Sequence, residues 1–297
     1  MAVAAESNQP MKSAFKWAFR LLAALGILVL AFKVADRWVR HSGTLPEVPD
    51  PNGYVTVLEV AHRIQGPEGD IADVSADKVR EFATTQREAL DQVRMAVHGP
   101  SGVALEADPK WPERQLTELT QLKRLAVLVG LRFKAELLEG RTNAAAWAWV
   151  AMILVGQTIA RGGRKLEALS GMAVEKVATA SLRSMIPTLD ASTCPSLAQE
   201  LERAEESRDT AERILETERN WSLAAFGLVA KVGERVGAGS QVQARKQFLT
   251  RYRETERDTR RLILALAARS VSLSTGWTVG APSDLVPGVL EAVPVDP

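Results

Sequence analysis

From Leu21 to Phe32 the chain carries no charged or strongly polar side chain, and apolar character reaches outward to Trp17 and Ala35 with only Arg20 and Lys33 at its margins. As a helix, residues 17–35 would be about 28 Å long, close to the roughly 30 Å hydrocarbon thickness of a bilayer. Three structures fit such a run: an uncleaved membrane anchor, a cleaved export signal, or a buried helix. Helical side chains lean toward the N-terminus, so Arg20 can return its guanidinium to the headgroups, whereas Lys33 must snorkel against that lean. Trp17 and Trp38 stand where interfacial aromatics are expected.

Lys12, Lys16 and Arg20 resemble the basic region of an export signal. The one small-residue pattern for cleavage, Val29-Leu30-Ala31, lies inside the apolar run, and a cut near Ala35 would put Lys33 where a small neutral residue is required. The sequence therefore favours an anchor, with membrane lipid as the partner of its N-terminal helix. Lys33, Arg37 and Arg40 on the far side balance the three cations on the near side, so charge does not set orientation. A short tail before a long C-terminal body matches a signal-anchor, which places the body on the non-cytoplasmic side of a bacterial inner membrane.

The remainder alternates breakers with helical patterns. Residues 1–41 are read as tail and anchor and 42–53, rich in Pro and Gly, as an extended linker. Residues 54–112 are read as short helices and loops, with "YVTVLEVAHRI" as one helix and Ser75 capping a second that runs on through "ADKVREFATTQREALDQVRMAVHG". A helical domain covers 113–274. Leu116, Leu119, Leu122, Ala126, Val129, Phe133 and Leu137 recur at steps of three and four, and Gly140 provides a stop, with Thr142 or Asn143 as the next cap.

No charge interrupts Thr142 to Ala160, making this the rival membrane span. Its apolarity is largely alanine, it contains Asn143, Gln157 and Thr158, and its amphipathic neighbours need a surface to pack on, which points to a buried central helix. A following helix should bury Leu166, Leu169, Ala173 and Val177 and end at Pro187. An acidic helix from about Pro195 to Trp221 and a basic one holding Arg245 to Arg261 come next, separated by the Gly-rich "FGLVAKVGERVGAGS". Their opposite charges favour mutual packing. Residues 275–297 form a Pro-rich C-terminal segment. Period-two alternation is almost absent, so the expected fold is all-α: an N-terminal transmembrane helix followed by an antiparallel bundle or short helical-hairpin solenoid.

Charge and composition exclude several functions. A formal net charge of +1 over 297 residues gives no global attraction to nucleic acid. The basic helix with Phe248 and Tyr252 is interrupted by Glu254, Glu256 and Asp258, so no nucleic-acid partner is expected. One cysteine, Cys194, rules out an internal disulfide, and its place beside Pro195 with no paired His suits packing. Glu59 and His62 make a Glu-x-x-His pair without the second pair a di-iron bundle needs, because His41 and His98 lack a Glu three residues earlier. Ser75 and Lys78 have Ser-x-x-Lys spacing without the companion motifs of penicillin-recognising enzymes. "GERVGAGSQ" lacks the Gly-Lys-Ser/Thr ending of a phosphate loop. No catalytic, metal or cofactor residue is assigned; Glu59, His62, Ser75 and Glu175 are the side chains with which a cryptic site would have to be built. "WSLAAFGLVAKVGERVG" has two readings, a helix packed on the core and an amphipathic segment on a membrane surface.

Three stretches carry a resemblance. "LKRLAVLVGLRFKAELLEGRTNAAAWAWVAMILVGQTIARGG" and "LDASTCPSLAQELERAEESRDTAERILETERNW" resemble the helical body of membrane-anchored proteins abundant in planctomycete-type bacteria. The closing "GAPSDLVPGVLEAVPVDP" is similar to those proteins' C-terminal Pro-x-x-Leu-Val-Pro and Val-Pro-x-Asp-Pro signature, a version of which also closes type II secretion pseudopilins. The resemblance implies architecture and membrane attachment and transfers no enzymatic residue. It also implies a Gly-Lys-Pro-Leu-x-Tyr tail beyond Asp296-Pro297, which this sequence does not contain, and residues 20 to 35 lack the glutamate found in pseudopilin helices. The expected function is a membrane-anchored interaction or scaffolding protein of the cell envelope with a protein partner. A component of a secretion or pilus-like apparatus and an envelope enzyme are the alternatives.

Overall fold

The structure, a computed structural model, describes residues 9–67, 73–236 and 238–276. These residues are all-α, with no strand among them. The helices run α1 (Gln9–His41), α2 (Gly53–Arg63), α3 (Ala76–Thr85), α4 (Arg87–Val97), α5 (Trp111–Leu138), α6 (Thr142–Ala160), α7 (Lys165–Met185), α8 (Thr193–Glu206), α9 (Ala211–Phe226), α10 (Leu228–Val236) and α11 (Ala238–Thr275), with a 3₁₀ turn at Ile186–Thr188 between α7 and α8. The C-terminal signature in 277–297 lies outside the described residues.

By length and composition alone α6 is apolar enough to cross a membrane, but 67% of its apolar window is buried inside the body. Its second half, from Met152 to Ile159, is covered all round, which is why charge is absent from every side of it. α5 flanks it on one side and α7 on the other, with α4 and α8 also resting on it; α2 and α3 cover α5, while α11 covers α7 and α8. One continuous core joins Val57, Phe82 and Val93 of the early helices to Leu122, Ile153, Leu201 and Leu262 of the later ones. Residues 54–112 thus belong to the same core as the central hairpin.

A close crossing of α6 and α7 explains why α7 does not bury the expected face. Gly156 of α6 meets Gly171 of α7: a Cβ on Gly156 would lie 2.8 Å from the Gly171 carbonyl oxygen, and one on Gly171 would overlap the Gly156 carbonyl. This backbone approach turns inward the stripe of Ala168, Gly171, Glu175, Ala178 and Leu182. Leu166 and Val177 are left 37% and 53% exposed. Small residues set the face here, against the hydrophobic count.

Three other expectations are revised. The single helix expected after Ser75 is two, broken at Gln86, so that α3 leans on α5 while α4 packs on α2. Ser75 occupies the cap position but its side chain makes no capping bond. The acidic helix is also two, separated by Ser207–Thr210; Thr210 caps α9 by accepting from the Arg213 N–H, and the turn frees Arg208 to swing inward. On α5, Pro112 sits in the first turn, where its missing N–H costs nothing. The stripe is buried at Leu119, Leu122, Ala126 and Val129 and half-buried at Phe133, while Leu116 and Leu137 at its two ends are exposed.

Residues 42–52 have no helix, as a linker would not, yet they are packed on the body. Gly43 is pressed against Asn220 and Ala224 of α9, where no side chain would fit. Leu45 packs on the core. Asn52 caps α2 through the Tyr54 N–H at 3.0 Å and donates to the Gly102 carbonyl at 2.8 Å.

Candidate functional site

At the end of α1 a single turn joins the N-terminal helix to the body. Arg40 donates to the carbonyls of Ala224 and Ala225, the last turn of α9, while the carboxylate of Asp36 accepts from the Leu228 N–H at 2.8 Å, the first donor of α10. Each helix end receives the charge its dipole favours, a cation at the carbonyl end and an anion at the amide end. The two side chains also bond each other, Arg40 Nε to Asp36 Oδ2 at 2.8 Å. The Arg40 guanidinium, then the Leu228 N–H, holds the Asp36 carboxyl below its usual range. Gly227, at φ +56°, leaves room for Asp36 that a side chain would fill. Val39 is buried beside the pair.

Before this junction the described apolar side chains of α1 stand exposed. Leu22, Leu25, Ile27, Leu28, Leu30 and Phe32 are between 55% and 70% exposed. At 100° per residue their positions go all the way round the helix, so no single protein groove could cover them.

A second feature is a groove of about 890 Å³ between the start of α2 and α4. Its floor exists because Gly53 lies against the Ala96 carbonyl and donates to the Pro100 carbonyl at 2.8 Å. Thr56, Thr84 and Thr85 offer hydroxyls, and Met95 stands 73% exposed on its rim. The volume is that of a ligand- or peptide-sized cleft, and an exposed Met is an adaptable apolar contact.

The third feature is a buried ion cluster. Arg208, from the turn before α9, makes a two-armed bond to Glu175 of α7 and a third to Glu205 at 2.6 Å, and Gln157 of α6 reaches Glu205 at 3.2 Å. Burial pushes the Glu175 carboxyl up and the guanidinium pulls it back; burial opposes the charge on Arg208, but the two carboxylates hold it firmly protonated. The groove between α2 and α4 does not open onto the cluster. Nearby, the buried Arg164 is sandwiched between Trp111 and Trp221, 4.4 and 4.0 Å from the ring centres, and paired with Glu167. Both arrangements pin helices together and neither presents a reactive atom to solvent.

The four side chains left for a cryptic enzyme do not meet. Glu59 and His62 are exposed on α2, Ser75 is exposed ahead of α3, and Glu175 is buried against Arg208. His98 pairs with Glu200 at 3.2 Å. Cys194 is fully buried at the start of α8, and burial raises its thiol pKa. Among the described residues no group of three or more His, Cys, Asp or Glu could hold a metal. Sequence reasoning missed the roles of Asp36, Arg40, Arg164 and Arg208, because the helix ends, the rings and Glu175 that they meet lie far away in the chain; the local pairs Asp36–Arg40, Arg164–Glu167 and Glu205–Arg208 were the part visible in advance. No family model matches the chain, and neither a curated protein nor a solved structure does.

Proposed function

We propose that this chain is a single-pass, membrane-tethered helical protein of the bacterial envelope whose body binds a protein partner in the groove between α2 and α4. The observation that carries the reading is α1. It is one helix whose exposed part is apolar in every direction and whose last turns are fixed to the body by Asp36, Val39 and Arg40. A helix apolar all round that is not inside a protein is stable in lipid, where its own backbone bonds satisfy every polar group. The resemblance to membrane-anchored proteins of planctomycete-type bacteria supports the same reading, and the body would stand on the non-cytoplasmic side. The groove's hydroxyls from Thr56, Thr84 and Thr85 and its exposed Met95 support a binding role.

Protease protection of a C-terminally tagged full-length protein tests this. Digestion of the tag in spheroplasts, together with recovery of α1 in the membrane pellet, is the expected result. A protein released into the soluble fraction would overturn the tether, and a tag protected until the cells are lysed would overturn the orientation.

A further inference from the structure

The junction fixes more than the tether. Asp36 directly follows Ala35, the last residue of the apolar run, so on the tether reading it marks the level at which hydrocarbon gives way to headgroups. The Leu228 N–H lies 2.8 Å from its carboxylate, so α10 begins at that level. Each further residue of a helix adds 1.5 Å, which puts Val232 about 6 Å from Leu228 whatever the tilt of α10. That distance is within the roughly 5–10 Å over which interfacial helices bury their apolar face.

The surface of α10 fits this place. Val229 and Val232, three apart and so on one face, are 65% and 59% exposed, and Lys231 beside them is exposed. α10 packs on α9, on α1 and on the start of α11, and none of these covers the two valines. Beyond the junction on α1, Trp38 is 73% exposed, an amphipathic ring in the layer where such rings concentrate. Near its start, α11 exposes Val242 together with Arg245 and Lys246.

We propose that α10 is a second membrane contact: its Val229–Val232 face lies in the headgroup boundary of the bilayer that α1 crosses, with Lys231 toward the lipid phosphates. This rests on the tether reading and adds to it. One crossing helix leaves a body free to swivel, whereas a short helix lying on the surface and locked to the crossing helix through Asp36 fixes which side of the body faces away from the membrane. The groove would then be held at a set orientation to the bilayer.

The test uses full-length protein in phosphatidylglycerol–phosphatidylethanolamine vesicles, with an environment-sensitive fluorophore on single cysteines. The sites are Val229→Cys, Val232→Cys, Leu28→Cys on the exposed part of α1, and Met95→Cys on the groove rim. Cys194 is fully buried and stays, and the unsubstituted protein reports background labelling. Spin labels near the lipid headgroup should quench the probes at 229 and 232 and shift their emission to the blue; labels deep in the acyl chains should quench the probe at 28; the probe at 95 should respond to neither. Quenching at 28 with probes at 229 and 232 as unresponsive as that at 95 would overturn the inference and leave the tether intact, pointing to a protein as the cover for the valines. Absence of quenching at 28 would remove the tether and the inference with it.

Discussion

Replacing glycine by alanine inside a helix ordinarily stabilises it by about 0.8–1 kcal/mol, because alanine surrenders less backbone freedom on folding. Gly156→Ala in α6 should do the opposite. The added methyl would sit 2.6 Å from Cγ of Glu175 and 2.8 Å from the Gly171 carbonyl oxygen. Neither neighbour can yield cheaply: one is backbone of the facing helix, and the other is held by its two-armed bond to Arg208. Overpacking of this kind costs about 1–3 kcal/mol, and at a backbone contact the upper end applies, so after the propensity gain the net loss is about 2 kcal/mol. In a domain of this size that lowers Tm by about 4–8 °C. Gly130→Ala on α5 is the internal control. Nothing lies within 4 Å of its added methyl, so the same chemical change should raise Tm by about 2–4 °C. Thermal melts of both variants in mild detergent, followed by far-ultraviolet circular dichroism, give the comparison. If the two shift Tm in the same direction, the close α6–α7 crossing does not exist.

Removing the charge of Arg208 with Arg208→Met should destabilise the protein by about 3–5 kcal/mol, because it strands Glu175 and Glu205 in the interior. The loss should shrink as the pH falls and Glu175 takes up a proton more readily folded than unfolded, and adding Glu175→Gln should recover part of it; urea titrations across pH measure both, and a pH-independent loss would refute the pairing. Asp190 caps α8 through the Thr193 and Ser192 N–H groups, and the Thr193 N–H first, then the side chains of Thr193, Ser192 and Asn143, lower its pKa from 3.8 to about 2. A depressed carboxylate stabilises above its unfolded pKa, so the Tm advantage over Asp190→Asn should be full at neutral pH and fade between pH 3.8 and about 2; equal Tm values at neutral pH would contradict the cap. Asp36→Ala should speed amide exchange at Leu228 while leaving that of α6 unchanged, and unchanged protection at Leu228 would mean that the junction does not hold α10.

The all-α class, the Gly140 stop and the central place of α6 were legible because each depends on a property local to the sequence: helical period, a glycine at φ +70°, and an apolar run flanked by arginines. The breaks at Gln86 and Ser207–Thr210 were not. Both segments carry unbroken helical periodicity, and the chain turns there because each half has a different partner to pack on. The α7 face was misread for a related reason. Hydrophobic counting favours Leu166 and Val177, but the energy of a glycine-on-glycine crossing depends on two residues fifteen apart that only tertiary structure brings together. The site was less legible still. Asp36 and Arg40 read as charges flanking an oily helix, and nothing local says that one caps α10 and the other α9.

On the tether proposal, α1 remains part of the mature protein and fastens it to a bilayer. Alkaline carbonate extraction of membranes, followed by intact-mass measurement of the full-length protein in each fraction, tests it most directly. A carbonate-resistant species at the mass of the whole chain, 32.3 kDa, is expected. A species released by carbonate, or one whose mass corresponds to a chain beginning beyond Ala35, would contradict it.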